Sequence, residues 1–116
     1  MAKILLVDDE PTVLKLSKMI LEKHGFEITA FNSPIDALSQ IDPEDFDLII
    51  SDLIMPEMRG TEMIKEFRTR RENMKAIIIS ASADMARLQE GSDNNTSYLS
   101  KPFQFDKLIE LIKSIL

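Results

Sequence analysis

Five side chains that can bind a metal ion or a phosphate follow apolar segments of this sequence. Asp8 and Asp9 come directly after KILLV, and Asp52 follows DLIIS. Ser80 closes AIIIS, and Lys101 closes SYLSK. Carboxylates suit a hard cation and can act as nucleophiles, whereas an ammonium and a hydroxyl suit phosphate oxygens. These residue types indicate metal-assisted phosphoryl chemistry if the fold brings them together.

The segments before these residues are typical of strands in a parallel sheet. KILLV, FDLIIS and KAIIIS are nearly continuous runs of Ile, Leu and Val, as expected for strands that are covered on both faces. FEITAF and SYLSK are weaker candidates for two strands nearer the sheet edges. The sequence therefore predicts five strands.

Helical patterns separate these strands. Apolar residues recur at helical spacing from Pro11, a favoured first-turn residue, to a stop at Gly25, and Ser33 is the predicted N-cap of a helix that ends at Ile41. Three further helices are predicted over residues 61–71, 84–90 and 106–116. The alternation predicts an α/β fold, a doubly wound five-stranded parallel sheet with helices on both faces.

In such a sheet, ligands bind outside the carboxyl ends of the strands, where the acids, Ser80 and Lys101 would meet. Each pair of carboxylates about 4 Å apart would repel by about 4 kcal/mol at an effective dielectric constant of about 20. A divalent cation relieves this repulsion. Mg²⁺ fits best because it takes few protein oxygens, keeps waters and shares its shell with phosphate. Lys101, Ser80 and backbone N–H groups would hold the phosphoryl oxygens.

Composition narrows the class of protein. With 116 residues, 44% of them hydrophobic, the chain fits a single domain over residues 1–116. The net charge of −6 argues against nucleic acid as a partner and favours proteins, cations or small molecules. Cysteine is absent, which excludes disulfides and sulfur-held zinc. The short N-terminal apolar run fits neither a signal peptide nor a membrane span, so we expect a cytoplasmic protein with no membrane partner.

Four segments together resemble a known family. LLVDDE, DLIISDLIMPEMRG, IIISASA and SYLSKPF match, in order and spacing, the receiver domain of response regulators in two-component signalling. The resemblance covers essentially the whole chain. It implies a flavodoxin-like (βα)5 fold with strand order 2-1-3-4-5. It also implies a phosphoacceptor signalling domain, not an enzyme, that assists only its own phosphorylation and dephosphorylation.

The resemblance implies a role for each acid. Asp52 is similar to the phosphoacceptor, which attacks a phosphohistidine or a small acyl phosphate. Asp9 is placed like a direct Mg²⁺ ligand, and Asp8 like a ligand that acts through a metal-bound water. The backbone carbonyl of Ile54 would complete the protein ligands of Mg²⁺ together with Asp52.

Residues of the later strands resemble the family's phosphate-binding and switch positions. Ser80 and Lys101 match the hydroxyl and the ammonium that hold the phosphoryl oxygens. Tyr98 matches an aromatic switch residue that turns inward when the hydroxyl moves toward the phosphate. Pro102 matches a proline that follows a cis peptide bond.

The partners that the resemblance implies are proteins. A sensor histidine kinase or a phosphotransfer protein would supply the phosphoryl group. A downstream protein would dock on the face formed by the fourth helix, the fifth strand and the fifth helix. We expect a monomer, with phosphorylation-dependent dimerisation as the alternative. With 116 residues, the sequence leaves no room for a DNA-binding output domain. Two interpretations stay open, a protein that works alone by docking to a partner and a fragment of a longer regulator or hybrid kinase, and the start at Met1 slightly favours the first.

Three rival functions use a similar architecture. An aspartyl-phosphate phosphatase needs an acid two residues after its nucleophile, where this chain has Ile54. A flavin or nucleotide module needs a glycine- and hydroxyl-rich loop after the first strand, where this chain has Asp8, Asp9 and Glu10. A receiver-like interaction module that acts without phosphorylation stays open, although the complete set of acids, hydroxyl and lysine counts against it.

Overall fold

One parallel sheet organises the part of the chain that the computed structural model describes, residues 2–81 and 95–116. Its strands are β1 (Lys3–Val7), β2 (Glu27–Phe31), β3 (Leu48–Asp52), β4 (Ala76–Ala81) and β5 (Thr96–Lys101). Their order is β2-β1-β3-β4-β5, and every neighbouring pair is parallel. The predicted fold class and strand order are confirmed.

Four α-helices accompany the strands within the described residues. They are α1 (Pro11–Lys23), α2 (Pro34–Gln40), α3 (Gly60–Arg68) and the C-terminal helix (Phe105–Ile115). The helix predicted over residues 84–90 lies outside the described residues. In the part of the chain that is described, no helix has the length and apolar character needed to cross a membrane.

The helix ends follow local hydrogen bonding. The predicted cap is confirmed, because the Ser33 hydroxyl accepts a bond from the Asp36 N–H at 3.2 Å. The prediction that the third helix runs to residue 71 is wrong. The Thr69 and Arg70 N–H groups donate to carbonyls three residues back, those of Glu66 at 3.2 Å and Phe67 at 3.0 Å, so the last turn tightens and the helix ends at Arg68.

A short 3-10 turn, Pro43–Asp45, precedes β3 and was not predicted. The Asp42 side chain caps it by accepting a hydrogen bond from the Glu44 N–H at 3.0 Å. Its proline occupies the first position, where a missing N–H costs nothing. The turn therefore begins with the same local signals as an α-helix, a side-chain cap and a first-position proline, but it ends after three residues.

Apolar side chains fill both faces of the sheet. On one face, α2 and α3 contribute Ala37, Met63 and Phe67 to a buried cluster. On the other face, Leu21 of α1 and Ile112 of the C-terminal helix belong to a second cluster. All five residues of β3 are buried, whereas the residues of the edge strand β5 are half-buried or exposed. This layering explains why the central strands read as continuous apolar runs.

The loop after β3, residues 53–59, is closed tightly at its base. The Gly60 N–H donates to the Leu53 carbonyl at 2.8 Å, so α3 begins directly against the end of β3. A Cβ atom at Gly60 would lie 2.2 Å from the Asp52 carbonyl oxygen and 2.9 Å from Ser51 Oγ. Glycine is therefore required at this position for steric reasons.

We expect Gly60→Ala to lower the free energy of unfolding by about 1–3 kcal/mol, because the added methyl group must displace the main chain at Asp52. Urea unfolding followed by circular dichroism measures the change. Gly25→Asn is the comparison variant, because no atom lies within 4 Å of an added Cβ there and any loss comes from the backbone φ of +91° and not from a steric contact. An unchanged midpoint for Gly60→Ala would contradict the steric account.

Candidate functional site

Three carboxylates meet at the carboxyl edge of the sheet. One oxygen each from Asp8, Asp9 and Asp52 lies within 4.8 Å of the others. Asp8 is 7% exposed and Asp52 is 9% exposed, and Asp9 is the most exposed of the three. The parallel topology produces this meeting, because Asp52 is the last residue of β3 and Asp8 directly follows β1.

Main-chain bonds hold Asp8 in place. Its N–H donates to the carbonyl of Phe31, the last residue of β2, at 3.1 Å. Its Oδ1 accepts a bond from the Glu10 N–H at 3.0 Å, which turns the chain toward the first residue of α1, Pro11. A short carboxylate at this position therefore both forms the turn and faces the site.

Lys101 joins the acids from the opposite side of β3. Its Nζ lies 3.0 Å from Asp52 Oδ1, and its side chain remains 47% exposed. Lys101 is the last residue of β5, and the peptide bond between it and Pro102 is cis. The structure thus brings together four of the side chains that the sequence analysis selected, the three acids and this lysine.

The remaining selected residues lie on β4, on β5 and in the loop after β3, and each has different surroundings. Ser80 is buried on β4, and its hydroxyl donates to the Ala81 carbonyl at 3.4 Å, a long bond. Tyr98 is half-buried on β5 and packs against the hydrophobic cluster that contains Met63 and Phe67 of α3. The side chain of Ile54 is 57% exposed, immediately beyond the buried Leu53.

The acid cluster is electrostatically unfavourable without a cation. Burial, reinforced by the neighbouring Asp52 carboxylate, raises the pKa of Asp8 to about 6 against the opposing effects of the Glu10 N–H and Lys101. One ammonium faces three carboxylates, so the site carries excess negative charge. This donor set fits Mg²⁺, since its oxygens are hard ligands and the chain has no cysteine. Asp8, Asp9 and Asp52 are the side chains that would hold the ion.

The family of the protein is clear from comparison with known proteins. Residues 4–113 match the family model of the response regulator receiver domain. The chain belongs to this family of two-component signalling domains. The predicted family is therefore confirmed.

Relatives of known description agree with this assignment. The chain is 33% identical to the transcriptional regulatory protein CpxR homolog of Haemophilus influenzae, over all of this chain and 51% of that protein. It is 31% identical to the response regulator receiver protein CpdR of Brucella abortus, over all of this chain and 98% of that protein. The chain thus spans about half the length of the first relative and nearly all of the second.

A similar solved structure contains a metal ion. The response regulator protein TrrA from Thermotoga maritima, in complex with Mg²⁺–BeF, is 33% identical to this chain. The TM-score is 0.87, and the match covers all of both chains.

One contact beside the site was missed by the sequence analysis. The Ser33 hydroxyl, at the start of α2, donates to the carboxylate of Glu57 in the loop after β3. The two residues are 24 positions apart, so no local pattern predicts their contact. The N-cap signal at Ser33 was the only part that the sequence could show.

The raised pKa of Asp8 predicts a pH-dependent stability of the metal-free protein. As the pH rises from about 4 to about 6, the unfolded state loses the Asp8 proton before the folded state does, so stability falls and the loss is complete above about pH 6. Asp8→Asn removes this term and keeps an acceptor for the Glu10 N–H. In EDTA, we expect the unfolding free energy of the variant minus that of the wild type to increase by about 1–3 kcal/mol from about pH 4 to about pH 7.5.

Urea unfolding of both proteins at the two pH values measures this difference. Asp45→Asn, at an exposed acid in the 3-10 turn, is the control and should show no such gain. A wild type that loses no stability relative to Asp8→Asn over this range would contradict the electrostatic account.

Proposed function

We propose that this receiver domain accepts a phosphoryl group on Asp52 from a phosphohistidine of a sensor histidine kinase or a phosphotransfer protein. The observation that carries the proposal is the geometry at Asp52. Its carboxylate lies 3.0 Å from the Lys101 ammonium and within 4.8 Å of oxygens of Asp8 and Asp9. A nucleophile, a cation-binding set and a mobile positive charge thus lie within contact distance of one another.

The chemistry is a displacement at phosphorus. A carboxylate oxygen of Asp52 forms a bond to phosphorus while the phosphorus–nitrogen bond of the phosphohistidine breaks. The imidazole leaves as a neutral ring, because the phosphohistidine already carries a proton on its other ring nitrogen. The product is a mixed anhydride of Asp52 and phosphate. Lys101, half-exposed at the end of β5, contacts the phosphoryl oxygens and offsets their charge. Mg²⁺, when bound, supplies the positive charge that lets a dianionic phosphoryl group approach three carboxylates.

Ser80 and Tyr98 carry the proposed response to phosphorylation. Within the described part of the chain, the bond shown for the Ser80 hydroxyl is the long one to the Ala81 carbonyl, which it can exchange for a phosphoryl oxygen at little cost. Tyr98 lies on the half-buried strand β5, paired opposite Ile78 of β4. A shift of Ser80 would therefore be transmitted to Tyr98 through adjacent strands.

In this proposal the output surface includes β5 and the C-terminal helix. The fourth helix expected for this face, over residues 84–90, lies outside the described residues. Moving a two-state equilibrium from 1:99 to 99:1 needs about 5.5 kcal/mol of differential stabilisation. Bonds from Lys101, Ser80 and main-chain N–H groups to a phosphoryl group supply energies of this order. A downstream protein would bind the shifted surface, with the domain acting as a monomer or as a phosphorylation-dependent dimer.

Magnesium dependence and site identity can be tested together. We expect acetyl phosphate to add one phosphoryl group to the wild type in Mg²⁺ and none in EDTA, because the repulsion among the acids then remains. Asp52→Asn should gain nothing in either condition, while its circular dichroism spectrum matches the wild type. Intact mass spectrometry gives the result directly, with Asp45→Asn as a control that should behave as the wild type does.

A folded wild type that gains no mass, from acetyl phosphate or from a phosphorylated histidine donor, would contradict the proposal. The alternative would then be a receiver-like module that binds its partner without phosphorylation.

A further inference from the structure

The loop of residues 53–59 leads from the proposed phosphoacceptor to α3. Its base is fixed by the Leu53 N–H donating to the Ile79 carbonyl at 2.9 Å and by the Gly60 N–H donating to the Leu53 carbonyl at 2.8 Å. Met55 is buried in the core, which anchors the loop from beneath. Ile54, whose carbonyl is the proposed metal ligand, lies between the anchored Leu53 and Met55, and the exposed tip of Pro56 and Glu57 follows directly after Met55.

The tip of the loop is tied to a different element. Glu57 accepts a hydrogen bond from the Ser33 hydroxyl. The same hydroxyl oxygen accepts the Asp36 N–H at 3.2 Å as the N-cap of α2. Because a hydroxyl has one proton to donate, the cap orients Ser33 so that its proton points away from the helix, toward Glu57. The bond to a carboxylate is charge-assisted, which makes it stronger than a neutral one.

This contact is the one hydrogen bond that links the side chains of the loop tip to another element, among the residues that the structure describes. Pro56 and Glu57 are both exposed, whereas the residues on either side of them are packed, Met55 in the core and Met58 against it. Without the Ser33 bond, this two-residue tip would be held only through these neighbours. The order of the tip therefore depends on Ser33, and the rest of the loop is held by packing.

We propose that Ser33 and Glu57 are positioning residues for the metal site, forming a latch between α2 and the loop after β3. The inference rests on the proposed function, because the loop carries the Ile54 carbonyl. The latch orders the loop before Mg²⁺ binds, so less conformational freedom is lost on binding. It acts on Mg²⁺ affinity through the loop and contributes no ligand of its own.

A double-mutant cycle tests the latch. The variants are Ser33→Ala, Glu57→Ala and the double variant, with Mg²⁺ affinity measured by titration of amide resonances in NMR spectra. We expect each single variant to weaken Mg²⁺ binding about 3- to 10-fold, the range of one charge-assisted hydrogen bond at a partly exposed site. The double variant should bind Mg²⁺ no more weakly than the single variant with the lower affinity, because that single variant has already lost the same bond.

Glu57→Gln separates the hydrogen bond from the charge. Its amide oxygen still accepts from Ser33, so Mg²⁺ affinity should stay closer to that of the wild type than to that of Glu57→Ala. Thermal unfolding in EDTA provides the structural control. Glu57→Ala should leave the midpoint temperature of unfolding nearly unchanged, whereas Ser33→Ala should lower that temperature because the α2 cap is lost.

Three results would overturn the inference. Variants that bind Mg²⁺ as the wild type does, additive losses in the double variant, or equal losses for Glu57→Gln and Glu57→Ala would each exclude the latch. A wild type that binds no Mg²⁺ would overturn the proposed function, and the latch with it.

Discussion

Repulsion among three carboxylates at one edge of the sheet is the constraint on which the rest of the site depends. Parallel strand order forces Asp8, Asp9 and Asp52 together, and burial makes their charge costly. Lys101, 3.0 Å from Asp52, offsets part of the charge. Burial, and after it the Asp52 carboxylate, raise the pKa of Asp8, so the ionised form of Asp8 is disfavoured in the metal-free protein. Such a site gains most from binding a cation and, through it, a phosphoryl group.

The strands that carry these residues differ in how firmly they are held. β3 is buried along its whole length, so the Asp52 main chain has little freedom. β5, which carries Tyr98 and Lys101, is a half-buried edge strand. In the proposed function, Asp52 thus has a rigid attachment, and the residues proposed to respond to its charge have a more adaptable one. The strand order places these two groups two strand positions apart.

Sequence patterns predicted what depends on local chemistry and on continuous burial. The strands were predictable because residues covered on both faces read as apolar runs, and the acids were predictable because they end those strands. The end of α3 was not predicted correctly, because its last turn closes through main-chain bonds to carbonyls three residues back, which no side-chain pattern signals. The steric demand at Gly60 and the bond from Ser33 to Glu57 arise only from the three-dimensional packing, so no local pattern reveals them.

Locating the phosphoryl group tests the central claim most directly. Borohydride reduces an acyl phosphate to an alcohol, so a phosphorylated aspartate becomes homoserine while free carboxylates are unchanged. After reaction with acetyl phosphate and Mg²⁺, peptide mass spectrometry should find homoserine at residue 52 and aspartate at residues 8 and 9. Homoserine at residue 8 or 9, or none at residue 52 in protein that has gained a phosphoryl group, would contradict the account.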